Sequence, residues 1–362
     1  MAKHGADLTA LESCLQALEH LFIEMQRLNF ETRYEEKRGG YGDVRVATLD
    51  SGSSTPKLVA VKTIRLKVRD KEAHRLAFRL ARELKVWAGL QHPHVLPLLG
   101  YYLDKDYKDA VLISEYITNG DLMEYIETEK PSLDLRLHIV RDLTDGLAYL
   151  HKQKPSVCHG DLKTKNVLIT ADRRAMLADF GLSRVLEDAP TGLTTTEGLK
   201  GTLRFYSPEL MKGKDASHSL ASDIWAWGCL VLEVRITGYM FTTHLIRTVN
   251  IKVLANKIPY AEKKADRLVL FALVNDEIPA EIGSLPIPIP EIKLLLGKCW
   301  AIQPNERPSA SYCLRILNSQ VYASPTPDHT KGITVQDSIP DQEFWLEDEE
   351  MDQYFSDSSE RD

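Results

Sequence analysis

The sequence predicts an α+β fold, with strands gathered toward the front of the chain and helices behind. Three stretches carry that prediction. RGGYGDVRVATL at 38–49, followed after the polar turn DSGSSTPK by LVAVK at 58–62, reads as strand, Gly-rich turn, strand, then a third strand ending in lysine. LDLRLHIVRDLTDGLAYLH at 133–151 carries an apolar stripe at helical spacing. Between His159 and Gly181, in HGDLKTKNVLITADRRAMLADFG, two brief apolar runs (VLI at 167–169 and AMLA at 175–178) flank the polar turn ADRR and read as a hairpin.

Composition bounds the rest. A chain of 362 residues holds one large or two ordinary domains with a sizeable core, and 43% hydrophobic with 27% charged residues describes a soluble globular protein. The formal charge of −7 is uneven: residues 341–362 carry ten acids against one arginine, net −9, which leaves +2 for everything before them. The body is nearly neutral, so no global field argues for nucleic acid or an anionic membrane as partner, and neither is expected. The five cysteines (Cys14, Cys158, Cys229, Cys299, Cys313) form no CxxC pair, so they suggest neither a zinc site nor a disulfide framework. They are expected as buried free thiols in a reducing compartment. No N-terminal signal is visible, and the most apolar run, IWAWGCLVLEV at 224–234, is too short to span a bilayer. The expected location is cytosolic or nuclear.

Taken in order, residues 7–28 predict a helix, because Leu8, Leu11, Leu15, Leu18, Phe22, Met25 and Leu28 recur at three- and four-residue steps, with Thr9 and Glu12 as a capping box. Its apolar stripe is expected to dock on the domain that follows. The polar stretch 67–90 is again helical in pattern. The hairpin then brings Asp161, Lys163 and Asn166, in the loop before it, close to Asp179 just after it. A base-like carboxylate, a cation, an amide and a second carboxylate on one rim suit phosphoryl transfer, where a hydroxyl must be oriented and developing charge neutralised.

At these residues the chain resembles a protein kinase, matching the catalytic loop and the D-F-G segment almost residue for residue. The resemblance implies a bilobal kinase fold, with a small β-rich N-lobe, a larger helical C-lobe, and ATP and Mg²⁺ bound between them. It covers roughly residues 30–317. Gly39 and Gly42 match the second and third glycines of the nucleotide-covering loop and Val44 the valine after them; Lys37 stands at the first glycine position. Lys62 would contact the α/β-phosphates and pair with Glu83. In AVLISEYITNGDLMEYI at 110–126, Ser114 would guard the back of the adenine pocket and Glu115 to Ile117 supply hinge backbone groups, with Val44, Ala60 and Leu168 sandwiching the ring. By the same resemblance Asp161 orients or accepts the substrate hydroxyl proton, Lys163 steadies the phosphoryl group, Asn166 and Asp179 ligate Mg²⁺, and His159 and Phe180 pack behind the site. Glu209 would pair with Arg307, and Asp223 would brace the loop. The departure that bears most on control is Gly160, where the family usually has the arginine that grips an activation-segment phosphate.

Lys163 and Thr202 in GTLRFYSPE resemble serine/threonine kinases, whereas the CW…RPS ending and the WAWG helix look tyrosine-kinase-like. The expected activity is phosphorylation of protein Ser/Thr hydroxyls in signalling; the alternatives are a tyrosine or dual-specificity kinase and a pseudokinase scaffold. The domains read as an amphipathic helix at 1–29, the kinase domain at 30–317 and an acidic tail at 318–362, with disorder the expectation for the tail. Finally, YMFTTHLIRTVNIKVLAN at 239–256 interrupts the family match. It lacks acids, glycine and proline, and reads either as an in-frame retained intron or as a family-specific insertion.

Overall fold

The computed structural model describes residues 15–38, 42–50, 52, 56–64, 80, 81, 83–106, 109–180, 184, 185, 203–212, 216–234, 258–285 and 287–321. Gly39, Thr9, Glu12, Thr202, the 239–256 stretch and the acidic tail from 322 onward lie outside them.

Strand-forming sequence at the front of the chain builds an antiparallel sheet in the order β1 (Leu28–Phe30), β3 (Gly42–Leu49), β4 (Lys57–Ile64), β6 (Ala110–Glu115), β5 (Leu98–Leu103), with β2 (Lys37–Arg38) also on β3. Because side chains alternate across a strand, β4 turns Val59 and Val61 into a closed cluster with Ile23, Leu28, Ala47, Val111 and Ile113. The opposite face carries Ala60 and Lys62. Register pairs Val44 with Lys62 and Lys62 with Leu112, and Val46 with Ala60 and Ala60 with Ser114. Partners in a ladder share a face, so these residues line one side of the sheet. This is the β-rich N-lobe. A helix, α1, of which residues 80, 81 and 83–87 are described, packs Leu80, Leu84 and Trp87 into the main core.

The helical C-lobe follows. Its helices are α2 (Leu122–Glu129), α3 (Leu133–Lys152), the short α4 (Glu209–Lys212), α5 (Leu220–Glu233), α6 (Asp266–Val274), α7 (Pro290–Cys299) and α8 (Ala310–Val321). The starts of α2, α3 and α5 are capped by Asp121, Ser132 and Ser219, whose side chains each accept from the backbone N–H three residues on. α3 buries its apolar stripe, while α5 is buried nearly all round, Trp225, Trp227, Cys229 and Leu230 being fully enclosed. Trp227 Nε1 donates to Thr144 Oγ1 at 2.8 Å, so the indole N–H that burial would strand is satisfied. Cys158, Cys229, Cys299 and Cys313 are buried, as expected, and Cys14 lies outside the described residues. Among the described residues no helix is long and apolar enough to cross a membrane.

The two lobes are joined by more than the chain. Leu96 N donates to Leu177 O at 2.8 Å and Leu177 N to His94 O at 2.9 Å, stitching the segment after α1 onto the C-lobe hairpin of β8 (Val167–Ile169) and β9 (Ala175–Leu177).

One expectation needs correction. The 7–28 segment is not one helix in its described part. Helical backbone at 15–17 gives way to 3₁₀ turns at Glu19–Leu21 and Met25–Arg27, and then to β1. Ile23 N donates to Tyr101 O, and Leu28 pairs with Leu49. Short turns linked by extended residues also bring every third or fourth side chain to one surface, so the apolar spacing was real and the conformation behind it was not helical. The segment does dock, as expected: Phe22 lies edge-on to Tyr101 with ring centroids 5.7 Å apart.

At Gly146 on α3 a methyl group would lie 2.5 Å from His94 O. Replacing glycine by alanine inside a helix normally stabilises by about 1 kcal/mol, but here the clash should reverse the sign. Gly146→Ala is expected to destabilise by about 1–3 kcal/mol and to lower Tm by several degrees in a thermal melt. An unchanged or raised Tm would show that the contact is not tight.

Candidate active site

Lys62 stands on the inner face of β4 with its ammonium 2.7 Å from Glu83 Oε1 on α1 and 2.8 Å from Asp179 Oδ1. Burial would lower the pKa of the ammonium, but the charges of Asp179 and Glu83 override it and hold the group well above its ordinary value. Burial likewise would raise the Asp179 carboxyl, and Lys62 brings it down to about 2 instead. Asp179 has φ +64°, the left-handed region that a non-glycine residue adopts at a cost of about 1 kcal/mol or more. Its neighbour Phe180 is fully buried between Trp87 and His159, at ring separations of 5.5 and 5.4 Å. His159 is enclosed as well, and burial pushes its pKa down.

The loop before the hairpin is shaped by one carboxylate. Asp223, on the first turn of α5, accepts from His159 N at 2.8 Å and Gly160 N at 2.9 Å, and His151 Nε2 lies 3.0 Å away. Burial alone would raise this carboxyl; the His151 contact and the N–H groups keep it low. Gly160 meets these bonds with φ +79°, a conformation glycine takes without strain. The turn carries Asp161 into the cleft. Lys163 Nζ and Asn166 Nδ2 both donate to Asp161 Oδ2, the latter at 2.9 Å, and Asn166 Nδ2 also reaches Asp161 O at 2.8 Å. Among the described residues Asp161 Oδ1, which is buried, has no hydrogen-bond partner. Burial raises the Asp161 pKa, and Lys163 offsets only part of the rise.

The structure thus gathers Lys62, Glu83, Asp161, Lys163, Asn166 and Asp179 at one cleft. The Asn166 amide nitrogen is committed to Asp161, which leaves its carbonyl oxygen to accept from or ligate another group, and the Asn166 backbone O receives Ala178 N, next to Asp179, at 2.9 Å. Among the described residues no group of three or more His, Cys, Asp or Glu side chains could hold a metal ion. One carboxylate and one amide oxygen fit Mg²⁺, which keeps several waters and takes further ligands from substrate phosphates. Val44, Ala60 and Ser114 lie on the same sheet face as Lys62. Leu168 sits on β8, bridged to Asp121 just after the 115–117 connection. Glu115 is half-exposed and 3.5 Å from Lys57, and Ile117 packs on the main core. Gly42 pairs with Ile64 at the β3–β4 end; Gly39 lies outside the described residues. Below the cleft Glu209 and Arg307 form a two-pronged pair at 2.7 and 2.8 Å.

Two contributors escaped the sequence reading. Tyr206 lines a small hollow with Asp161, Phe205, Leu210 and His218; burial and the Asp161 charge raise its hydroxyl to about 12. Arg204 donates to Pro259 O at 2.8 Å, Tyr260 O at 2.9 Å and Lys263 O at 2.6 Å. Both act across more than forty residues of chain, and the only local signal was their place between Lys200 and Glu209.

Removing the cation between the two carboxylates should be costly. Lys62→Met leaves Glu83, whose side chain is 2% exposed, without its partner. A loss of about 3 kcal/mol is expected, and adding Glu83→Gln should recover most of it. Strictly additive losses in denaturant melts would show that the pair is not coupled.

A family model described as the protein kinase domain matches residues 37–317. The chain is 30% identical over 293 residues to a probable serine/threonine-protein kinase of Arabidopsis thaliana, covering 79% of this chain and 74% of that one. It is 32% identical over 303 residues to a mitogen-activated protein kinase kinase kinase of Arabidopsis thaliana, covering 80% of this chain and 37% of the relative. To an LRR receptor-like serine/threonine-protein kinase of the same plant it is 29% identical over 294 residues, 80% of this chain and 46% of the relative. It therefore spans less than half the length of the last two.

Proposed function

Since the chain belongs to the protein kinase family, we propose that it transfers the γ-phosphate of ATP to serine and threonine hydroxyls of protein substrates, in signalling within the cytoplasm or nucleus. One observation carries the reading: a buried carboxylate oxygen, Asp161 Oδ1, lacks a partner while its twin is held by Lys163 and Asn166. An acceptor left unsatisfied in a low-dielectric site costs free energy, and a substrate hydroxyl would supply the missing donor. As the hydroxyl oxygen bonds to the γ-phosphorus and the bond to the bridging oxygen of ADP breaks, the proton passes to Oδ1. Lys163 offsets negative charge at the transferred group, and Lys62, held by Glu83, grips the remaining phosphates. Asn166 and Asp179 would hold Mg²⁺, which when bound screens the phosphate charge. The serine/threonine preference rests on Lys163, on Thr202 and on relatives that bear that name.

Incubation of the purified protein with Mg²⁺-ATP, followed by mapping of the phosphorylated residues, tests this directly. Phosphoserine and phosphothreonine are expected. Phosphotyrosine alone would replace the specificity, and no transfer to itself or to generic protein substrates would favour a scaffold. Asp179→Asn should cut kcat by on the order of 10²–10³-fold. The pH profile adds a sign. Asp161 must be ionised to take the proton, and its pKa lies above the ordinary 3.8. Activity should therefore fall as pH drops through a value above 3.8, and Lys163→Met, which removes a group that lowers that pKa, should move the acid limb to higher pH. A limb unmoved in Lys163→Met would count against Asp161 as the base.

Gly160 offers no cation to an activation-segment phosphate. Phosphatase treatment is accordingly expected to leave most activity intact, and a tenfold drop would contradict the proposal.

A further inference from the structure

The first strand of the sheet carries more chain than its partner needs. Phe30 is in register with Ala47 and Lys37 with Val44, so the six residues 31–36 stand opposite only two, Arg45 and Val46. Glu31 N still donates to Val46 O at 2.9 Å, and the four surplus residues then leave the ladder as a bulge. Bulges beside active sites serve to re-aim a side chain. Here the side chain is Tyr34.

Tyr34 meets Tyr116, the residue that follows β6, with ring centroids 5.2 Å apart and planes at 61°. Strand β6 lies three strand spacings from the first strand, roughly 14 Å, so the bulge carries its ring across the sheet. Tyr116 N donates to Leu58 O at 3.3 Å, which continues the β4–β6 ladder past Val59 and Glu115. Two residues on from Ser114, Tyr116 takes the same face as Ser114, Ala60 and Lys62. The ring pair thus lies on the side of the sheet assigned to the adenine base, at the end away from Lys62. The bulge is also braced from within. Thr48 Oγ1 donates to Glu31 Oε1 at 2.5 Å, Glu31 Oε2 lies 3.3 Å from Arg33 Nε, and the Arg33 guanidinium stands 5.2 Å from the centre of the Tyr34 ring. Both rings are half-buried.

We propose that Tyr34 and Tyr116 form a clasp across the outer end of the adenine site, which parts to admit and release nucleotide. This rests on the reading of the chain as an ATP-dependent kinase. An edge-to-face aromatic pair has a strength equivalent to about two- to tenfold in an equilibrium. Such a contact stays mostly closed and still opens readily. A contact that closes equally over the free and the occupied site does not alter affinity. It slows association and dissociation by the same factor. That signature separates the clasp from a ring that packs on the base, whose loss would weaken affinity. It also separates it from a structural prop, whose loss would lower Tm without moving the two rates together.

The test uses the full chain, Mg²⁺ and ATP carrying a methylanthraniloyl group on its ribose. Stopped-flow fluorescence gives both rates without turnover, and competition by unlabelled ATP gives the affinity. Tyr34→Ala should raise association and dissociation alike by about two- to tenfold, with the Kd of unlabelled ATP changed by less than about twofold. Tyr34→Phe, which keeps the ring, should behave as the wild type. Adding Tyr116→Leu to Tyr34→Ala should speed dissociation no further, because two partners in one contact are not additive. If Tyr34→Ala does not melt cooperatively, Tyr34→Leu, which keeps the apolar volume, is read by the same criteria. Unchanged rates, a raised Kd with an unaltered association rate, or additive effects of the two substitutions each overturn the clasp. Phosphate transfer by a chain whose nucleotide rates ignore Tyr34→Ala removes the clasp alone. The expected rates in a chain that transfers no phosphate leave the clasp standing and remove the kinase reading, and a wild-type chain that binds no nucleotide removes both.

Discussion

The ammonium of Lys62 is the point on which the arrangement of the cleft depends. It stands on the sheet, and its two carboxylate partners belong to α1 and to the end of the C-lobe hairpin. Three elements remote in sequence are therefore set against one another by one charge. The pairing is worthwhile only because the groups are enclosed; in water such bridges contribute little. It also explains why Asp179 stays ionised in a surrounding that would otherwise neutralise it, and why a left-handed backbone is tolerated there. Within the cleft the strain falls on the residue whose carboxylate faces the lysine, although Lys130, Arg173, Tyr260 and Asp276 also take positive φ elsewhere.

Asp223 plays a comparable part on the other side. A carboxylate buried in this largely apolar helix would be prohibitively costly if its oxygens lacked donors. It receives two backbone N–H groups, from His159 and Gly160, and a histidine contact, and in return it fixes the turn that presents Asp161. Asp161 Oδ1, one of a few buried polar atoms with no partner among the described residues, contrasts with the well-supplied carboxylate of Asp223.

Much of this was legible in the sequence, for a physical reason. Asp161, Lys163, Asn166 and Asp179 lie within nineteen residues of one another around a short hairpin, so local spacing nearly determines their meeting. Lys62 was found through the resemblance of the 38–62 stretch to the family's nucleotide-covering hairpin. Glu83 needed the resemblance, because nothing in its own helix says that it meets a lysine twenty-one residues earlier. The N-terminal segment was misread because apolar spacing reports which side chains face a surface and is silent on the backbone that places them there. Tyr206 and Arg204 were missed since their partners lie far along the chain, where sequence pattern carries no register. Their neighbour Glu209, equally remote from Arg307, was found only through the family's motif.

The stitch between His94, Leu96 and Leu177 has a mechanical meaning. The lobes are also joined through the chain at 115–121, beside which Ile169 N donates to Gly120 O, and through the Lys62–Asp179 ion pair. Leu177 lies only two residues before Asp179, so the seam and the ion pair fall side by side. Any widening of the cleft that spared this seam would leave the lysine and its carboxylate together, with the charges already in place for a ligand that entered.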